Sequence, residues 1–143
     1  MKVMGLDVGD KTIGVALSDE LLITAQGLKT IMRVGIKKDT NELIDIIDLN
    51  DVNKIVVGIP KNLNGTDSIQ TEKVYQFKEK LENKLRSTGR QNIELVNWDE
   101  RYSTVIAESI LIEADMSRSN RKKVIDKMAA VVILQSYLDS ISK

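Results

Sequence analysis

The chain contains no histidine and no cysteine. Their absence removes imidazole general bases, Ser-His-Asp and Cys-His nucleophiles, and every metal site built on soft ligands. A chain without cysteine also fits a reducing compartment. No long apolar run is present, and the opening MKVMGLD is expected to be neither a signal peptide nor a membrane span, because charge interrupts it early. The expected setting is cytoplasmic, with no membrane partner. An excess of one charge is missing too: 21 Lys and Arg balance 21 Asp and Glu. A polyanionic partner must therefore be met by a local patch. Repeats, low-complexity tracts and dividing linkers are absent. The 143 residues are expected to form one domain, 1–143, too short for two lobes around a cleft.

What is present is carboxylate in unusual places. Asp7 lies among Val3, Met4, Leu6 and Val8, in an apolar strand followed by a tight turn at Gly9 and a second apolar strand. Burying an ionised carboxylate costs several kcal/mol unless something positive meets it. With imidazole and thiolate unavailable, the natural partner is a hard cation such as magnesium.

Periodicity places the other candidates. Residues 2–8, 13–19 and 27–32 read as an antiparallel meander of three strands. Asp39 to Asp48 reads as a helix and Lys54 to Gly58 as a short buried strand, which together suggest a parallel crossover. Gly58-Ile59-Pro60 ends that strand, and a loop runs on to Gly65. A helix then carries Val74, Phe77, Leu81 and Leu85 on one face and stops near Gly89. Ile93 to Val96 reads as a further strand leading to Trp98-Asp99-Glu100. A helix capped by Ser103 or Thr104 is expected to reach Ala114, and a mobile loop to run from Ala114 to Asn120. The last helix, Lys123 to Leu138, is apolar around most of its circumference, which predicts packing on two neighbours.

Three acidic positions break these patterns: Asp7 in the first strand, Asp99 or Glu100 after the fifth, and Asp126 in the last helix. Ala129 and Ala130 share the face of Asp126, so small side chains there would let the helix approach the sheet. The plain alternative for Asp126 is an acid near a helix N-terminus, stabilised by the macrodipole. Carboxylates gathered from a strand, a strand end and a helix would suit magnesium or manganese, and two such ions can activate water and stabilise the leaving oxygen of a phosphodiester. The basic patch exists as well. Arg118, Arg121, Lys122, Lys123 and Lys127 stand against Asp126 alone, and they read either as phosphate contacts or as a solvated face.

Four segments, LDVGDKTIGVALSD, VVGIPKNLNGT, VNWDERYST and KKVIDKMAAVVILQSYL, resemble, in order and across nearly the whole chain, the YqgF family. That is a bacterial group of ribonuclease H-like proteins described as Holliday junction resolvases and as pre-16S rRNA nucleases. The resemblance implies an α/β fold, with a five-stranded mixed sheet flanked by helices on both faces. It also implies a metal-dependent hydrolase acting in 5′ processing of pre-16S rRNA or on branched DNA. Asp7 and Asp126 match the family's catalytic positions, with Glu100 as the third catalytic and metal-binding acid; magnesium or manganese is the implied cofactor. Lys11, Lys61, Arg101, Arg118, Arg121, Lys122 and Lys123 are expected to bind nucleic acid.

Other readings stand beside these. Gly58, Pro60 and Gly65 would admit a sugar-phosphate backbone or simply punctuate turns. Arg101 would hold a phosphate or pair with Asp99 or Glu100. Trp98 and Tyr102 would stack on bases or belong to the core. Gly9 to Gly14 has the glycine spacing of a phosphate loop, but Val15-Ala16 follow where Lys and Ser or Thr are required. A kinase-like phosphotransferase is disfavoured by length, and a binding module without turnover by retention of all three acids. Such residues serve RNA and DNA alike, and monomer and dimer alike.

Overall fold

The computed structural model describes residues 1–100 and 118–142, the side chains of 118–127 excepted. Its elements are β1 (Lys2–Val8), β2 (Thr12–Ser18), β3 (Ala25–Met32), α1 (Ile36–Leu49), β4 (Val52–Ile59), α2 (Ile69–Ser87), β5 (Glu94–Asp99) and α3 (Arg118–Ile141). The sheet order is β3-β2-β1-β4-β5. The first three strands form an antiparallel meander, while β4 runs parallel to β1 and β5 parallel to β4. The five-stranded mixed sheet implied by the resemblance is the one observed, with α1 and α2 on one face and α3 on the other.

Alternation along β1 decides what each face holds. Met4, Leu6 and Val8 point into a large core with Leu43, Ile47, Phe77 and Leu81 of α1 and α2. Val3 points the other way, into a smaller core with Ala16, Val56 and, from α3, Ala130, Ile133, Leu134 and Tyr137. Both faces of β1 are covered, which is why the strand reads as a nearly continuous apolar run.

Two helix starts differ from the sequence reading. Helix α1 starts at Ile36, not Asp39. Asp39 sits in its first turn, 1% exposed, and accepts hydrogen bonds from the Val34 amide at 3.1 Å and Arg33 Nε at 3.2 Å. Helix α3 starts at Arg118, not Lys123, so Arg118 to Asn120, expected in a loop, are helical. Once a helix is nucleated by packing, each added residue without Gly or Pro extends it at little cost. Helix α3 packs across the sheet, on β1 to β4 and, through Val96 and Trp98, on β5; a second layer beyond the sheet is not found for it among the described residues. The helix expected from Ser103 or Thr104 to Ala114, and the loop residues 114–117, lie outside the described residues. No helix among the described residues is long and apolar enough to cross a membrane.

Candidate active site

Asp7 opposes Gly14 on β2, and the last β1–β4 pair is Leu6 with Val57, so Gly58 stands one step on, beside Asp7. Both neighbouring strands therefore present a residue without a side chain at this level. A glycine at position 58 matters for a reason that turn propensity does not capture. A Cβ on it would fall within 3.0 Å of both Glu100 Oε2 and Ile133 Cδ1.

Glu100 reaches this place by strand alternation. Trp98 faces α3, where its ring meets Tyr137 edge-on at 5.5 Å and its Nε1 donates to Ser136 Oγ at 3.2 Å. The indole thus docks the helix, packing partly buried against the smaller core. Asp99 turns outward and is exposed. Glu100 turns back inward, its amide donating to the Ile59 carbonyl at 3.1 Å and carrying the β4–β5 ladder one residue further. Its Oε2 is buried with no hydrogen-bond partner among the described residues. Burial pushes the Glu100 carboxyl from 4.5 up to about 8, helped by the negative charge of Asp7, a side-chain hydrogen bond with Asp7, and the charge of Asp99.

Two carboxyls that cannot both ionise in contact call for a proton or a cation between them. An all-oxygen donor pair, an orphaned buried oxygen and a glycine cradle fit a small hard dication. A third carboxylate does not complete a cluster among the described residues. The backbone of Asp126 is carried by α3, and four residues further on Ala130 is fully buried over β1. A Cβ on Gly5 would lie 2.7 Å from Leu134 Cβ and 3.1 Å from the Ala130 carbonyl. Further along, Gln135 accepts from the Ala25 amide and donates to the Ile23 carbonyl, both at 2.9 Å, at the end of the sheet where β1 begins. The helix therefore runs against β1, and its earlier turns head toward the Asp7 end. Ninth in its helix, Asp126 also lies beyond the first turn, the only one the macrodipole stabilises appreciably.

Of the basic residues, Lys61 pairs with Asp67 at 2.7 Å, and that contact holds its ammonium pKa above the ordinary value, with smaller help from Tyr75 and Asp99. Lys11 is exposed in the β1–β2 turn. Arg101 and Tyr102 lie outside the described residues, as do the side chains of Arg118, Arg121, Lys122, Lys123 and Asp126. One residue escaped the sequence reading. Arg33 donates from Nη1 to the Gly9 carbonyl at 2.8 Å, from Nε to Asp39 at 3.2 Å, and lies 5.1 Å from the centre of the Phe77 ring. It ties the turn after Asp7 to the start of α1. An arginine directly after a strand and six residues before an acid in a helix is the available signal.

Two surface cavities, about 360 and 230 Å³, lie away from the acids, one along Lys2, Leu17 and Gln26 and the other beside Leu85 and Leu95. Asp7 is next to last in β1, and Glu100 directly follows the end of β5.

A family profile described as "RuvX: Holliday junction resolvase" matches residues 1–140. A candidate pre-16S rRNA nuclease of Desulforamulus reducens is 59% identical over 143 residues, covering 100% of both chains. Its counterpart from Clostridioides difficile is 60% identical over 138 residues, covering 96% of this chain and 94% of the relative. Among solved structures, T. thermophilus RuvC in complex with a Holliday junction substrate superposes with a TM-score of 0.61 at 14% identity, over 98% of this chain and 95% of that one. Fowlpox virus resolvase with Holliday junction DNA gives 0.60 at 12% identity over 100% of both chains. The fold is ribonuclease H-like.

Proposed function

The chain belongs to the RuvX family of Holliday junction resolvases, and from that membership we propose that it is a magnesium-dependent endonuclease that processes the 5′ end of pre-16S rRNA in the cytoplasm. Hydrolysis of phosphodiester bonds, on nucleic acid and with a divalent cation, goes with the family and the fold. The observation that carries the reading is the buried Glu100 oxygen beside Asp7, which has no hydrogen-bond partner among the described residues.

In this reading Asp7, Glu100 and Asp126 hold the cation, with manganese able to replace magnesium. When bound, the ion supplies positive charge to the phosphate and acidifies a coordinated water. Glu100 must release its proton first, which its raised pKa opposes and the ion's charge favours. The absence of a side chain at Gly58 lets Glu100 keep its inward position. Ile133 and the neighbouring apolar residues of α3 exclude water on one side of the pair. Lys11, Lys61, Arg101 and the basic first turns of α3 (Arg118, Arg121, Lys122, Lys123) bind phosphates on either side of the cut.

The family's description favours a second reading, cleavage of branched DNA. Purified protein with magnesium or manganese, offered pre-16S rRNA, unstructured single-stranded RNA and a four-way DNA junction, separates them. Discrete cleavage of the precursor is expected. Paired cuts in the junction with the RNA intact would establish the resolvase, and binding of all three without any cut would establish a non-catalytic module.

A further inference from the structure

Where β3 ends and α1 begins, the chain reads Met32-Arg33-Val34-Gly35-Ile36-Lys37-Lys38. Met32 is 69% and Val34 72% exposed, and Ile36 is partly exposed beside them. Lys37 and Lys38 are exposed and form no ion pair among the described residues, and the same holds for Lys11 in the adjoining turn. Lys84 of α2 adds a fourth cation by donating to the Lys37 carbonyl at 3.4 Å.

Nearby acids do not cancel this charge. Asp10 pairs with Lys73 at 3.3 Å, Glu42 with Lys29 at 2.8 Å, and Asp39 is buried against Arg33. The corner is also fixed relative to the acids. The Arg33 amide donates to the Lys11 carbonyl at 2.9 Å and its guanidinium to the Gly9 carbonyl at 2.8 Å, two residues past Asp7. Thr12 pairs with Met32 across β2 and β3, on the sheet face that carries Asp7 and Gly14.

Apolar side chains held in water among unpaired lysines match a strand whose bases are unstacked and whose phosphates are accessible. A duplex, with its bases inside, would leave the apolar members unused. Resting on the nuclease reading, we propose that this corner, Met32 to Lys38 with Lys11, is an accessory contact for an unpaired nucleic-acid strand leading away from the acids on the β3 side. Bases lie against Met32 and Val34, and phosphates meet Lys11, Lys37 and Lys38.

The test is fluorescence anisotropy on the full chain carrying Asp7→Asn, so that nothing is cut. The probes are a single-stranded RNA, a single-stranded DNA and an RNA duplex of equal length. Adding Lys37→Ala with Lys38→Ala should flatten the dependence of log affinity on log salt by about 0.7 per lost contact on single strands. Adding Met32→Ser with Val34→Ser should weaken single-strand binding several-fold, with the slope and the duplex affinity unchanged. Unaltered melting temperatures would show that the variants fold. Equal losses on duplex and single strand, or no loss from either pair, would overturn the inference while leaving the nuclease reading intact. So would a change in oligomeric mass from the apolar pair without any change in binding. A parent protein that binds no probe, and whose Asp7 form cuts nothing, would instead overturn the nuclease reading.

Discussion

The two faces of the sheet are built on opposite principles. Toward α1 and α2, β1 presents Met4, Leu6 and Val8 to branched and aromatic side chains, in a core that includes Phe77, Ile47 and Leu81. Toward α3 the same strand presents Val3, Gly5 and Asp7, and the helix meets it with Ala130 and Leu134. Large side chains on the first face supply burial, roughly 25 cal/mol per Å² of apolar surface. Small ones on the second bring the helix backbone in and clear space around a carboxylate pair that burial and mutual repulsion destabilise. The larger core lies on one side of the strand, and the acids proposed to carry the chemistry lie on the other.

Breaking the acidic face should show most in rate. Asp7→Asn is expected to reduce cleavage to background while leaving the metal-free fold as stable, or more stable by about 1 kcal/mol, because one of two repelling carboxylates is gone. Magnesium or manganese should then raise the melting temperature of wild type more than that of the variant. Near wild-type cleavage by the variant would remove Asp7 from the site.

The apolar face should give the opposite pattern. Leu81→Ala, at a fully buried position, should cost about 2–5 kcal/mol by urea denaturation yet leave kcat unaltered at temperatures where the variant is folded. Gly58→Ala sharpens the contrast, because its methyl group would strike both Glu100 and Ile133. It should cost about 1–3 kcal/mol and lower kcat as well, whereas a purely structural glycine would lose stability alone.

A further effect is expected on pH dependence. With its pKa raised from 4.5 to about 8, Glu100 keeps in the folded state a proton that the unfolded chain has already released across that window. Metal-free stability should therefore fall as pH rises from about 4.5 to about 8. Melting temperatures across this range should lose much of that decline in Glu100→Gln, or when saturating magnesium takes the place of the proton. An equal decline in the variant would assign the effect to other groups.

How much of this could be read beforehand follows from the range of the forces involved. Strand and helix patterns are local, so β1 to β5 and the two-sided burial of β1 are legible in alternation and apolar runs. Asp7 was conspicuous because a charge in such a run conflicts with its neighbours. Helix ends were less legible: α1 begins three residues before Asp39, which bonds back to Val34 and Arg33, and α3 begins at Arg118, five residues before Lys123.

The amino-acid order by itself determined the chemistry available, oxygen ligands only, and the alternation that turns β1's acid to one face and its large apolar groups to the other. Tertiary structure decided which acids meet. Asp7 and Glu100 are 93 residues apart in sequence, and only the parallel placing of β4 between β1 and β5 puts Glu100 over Gly58 and beside Asp7. It also decided that Gly58 is a cradle and Arg33 a clamp, since a glycine's missing Cβ and an arginine's partners acquire meaning only when distant strands and helices are brought within a few ångströms.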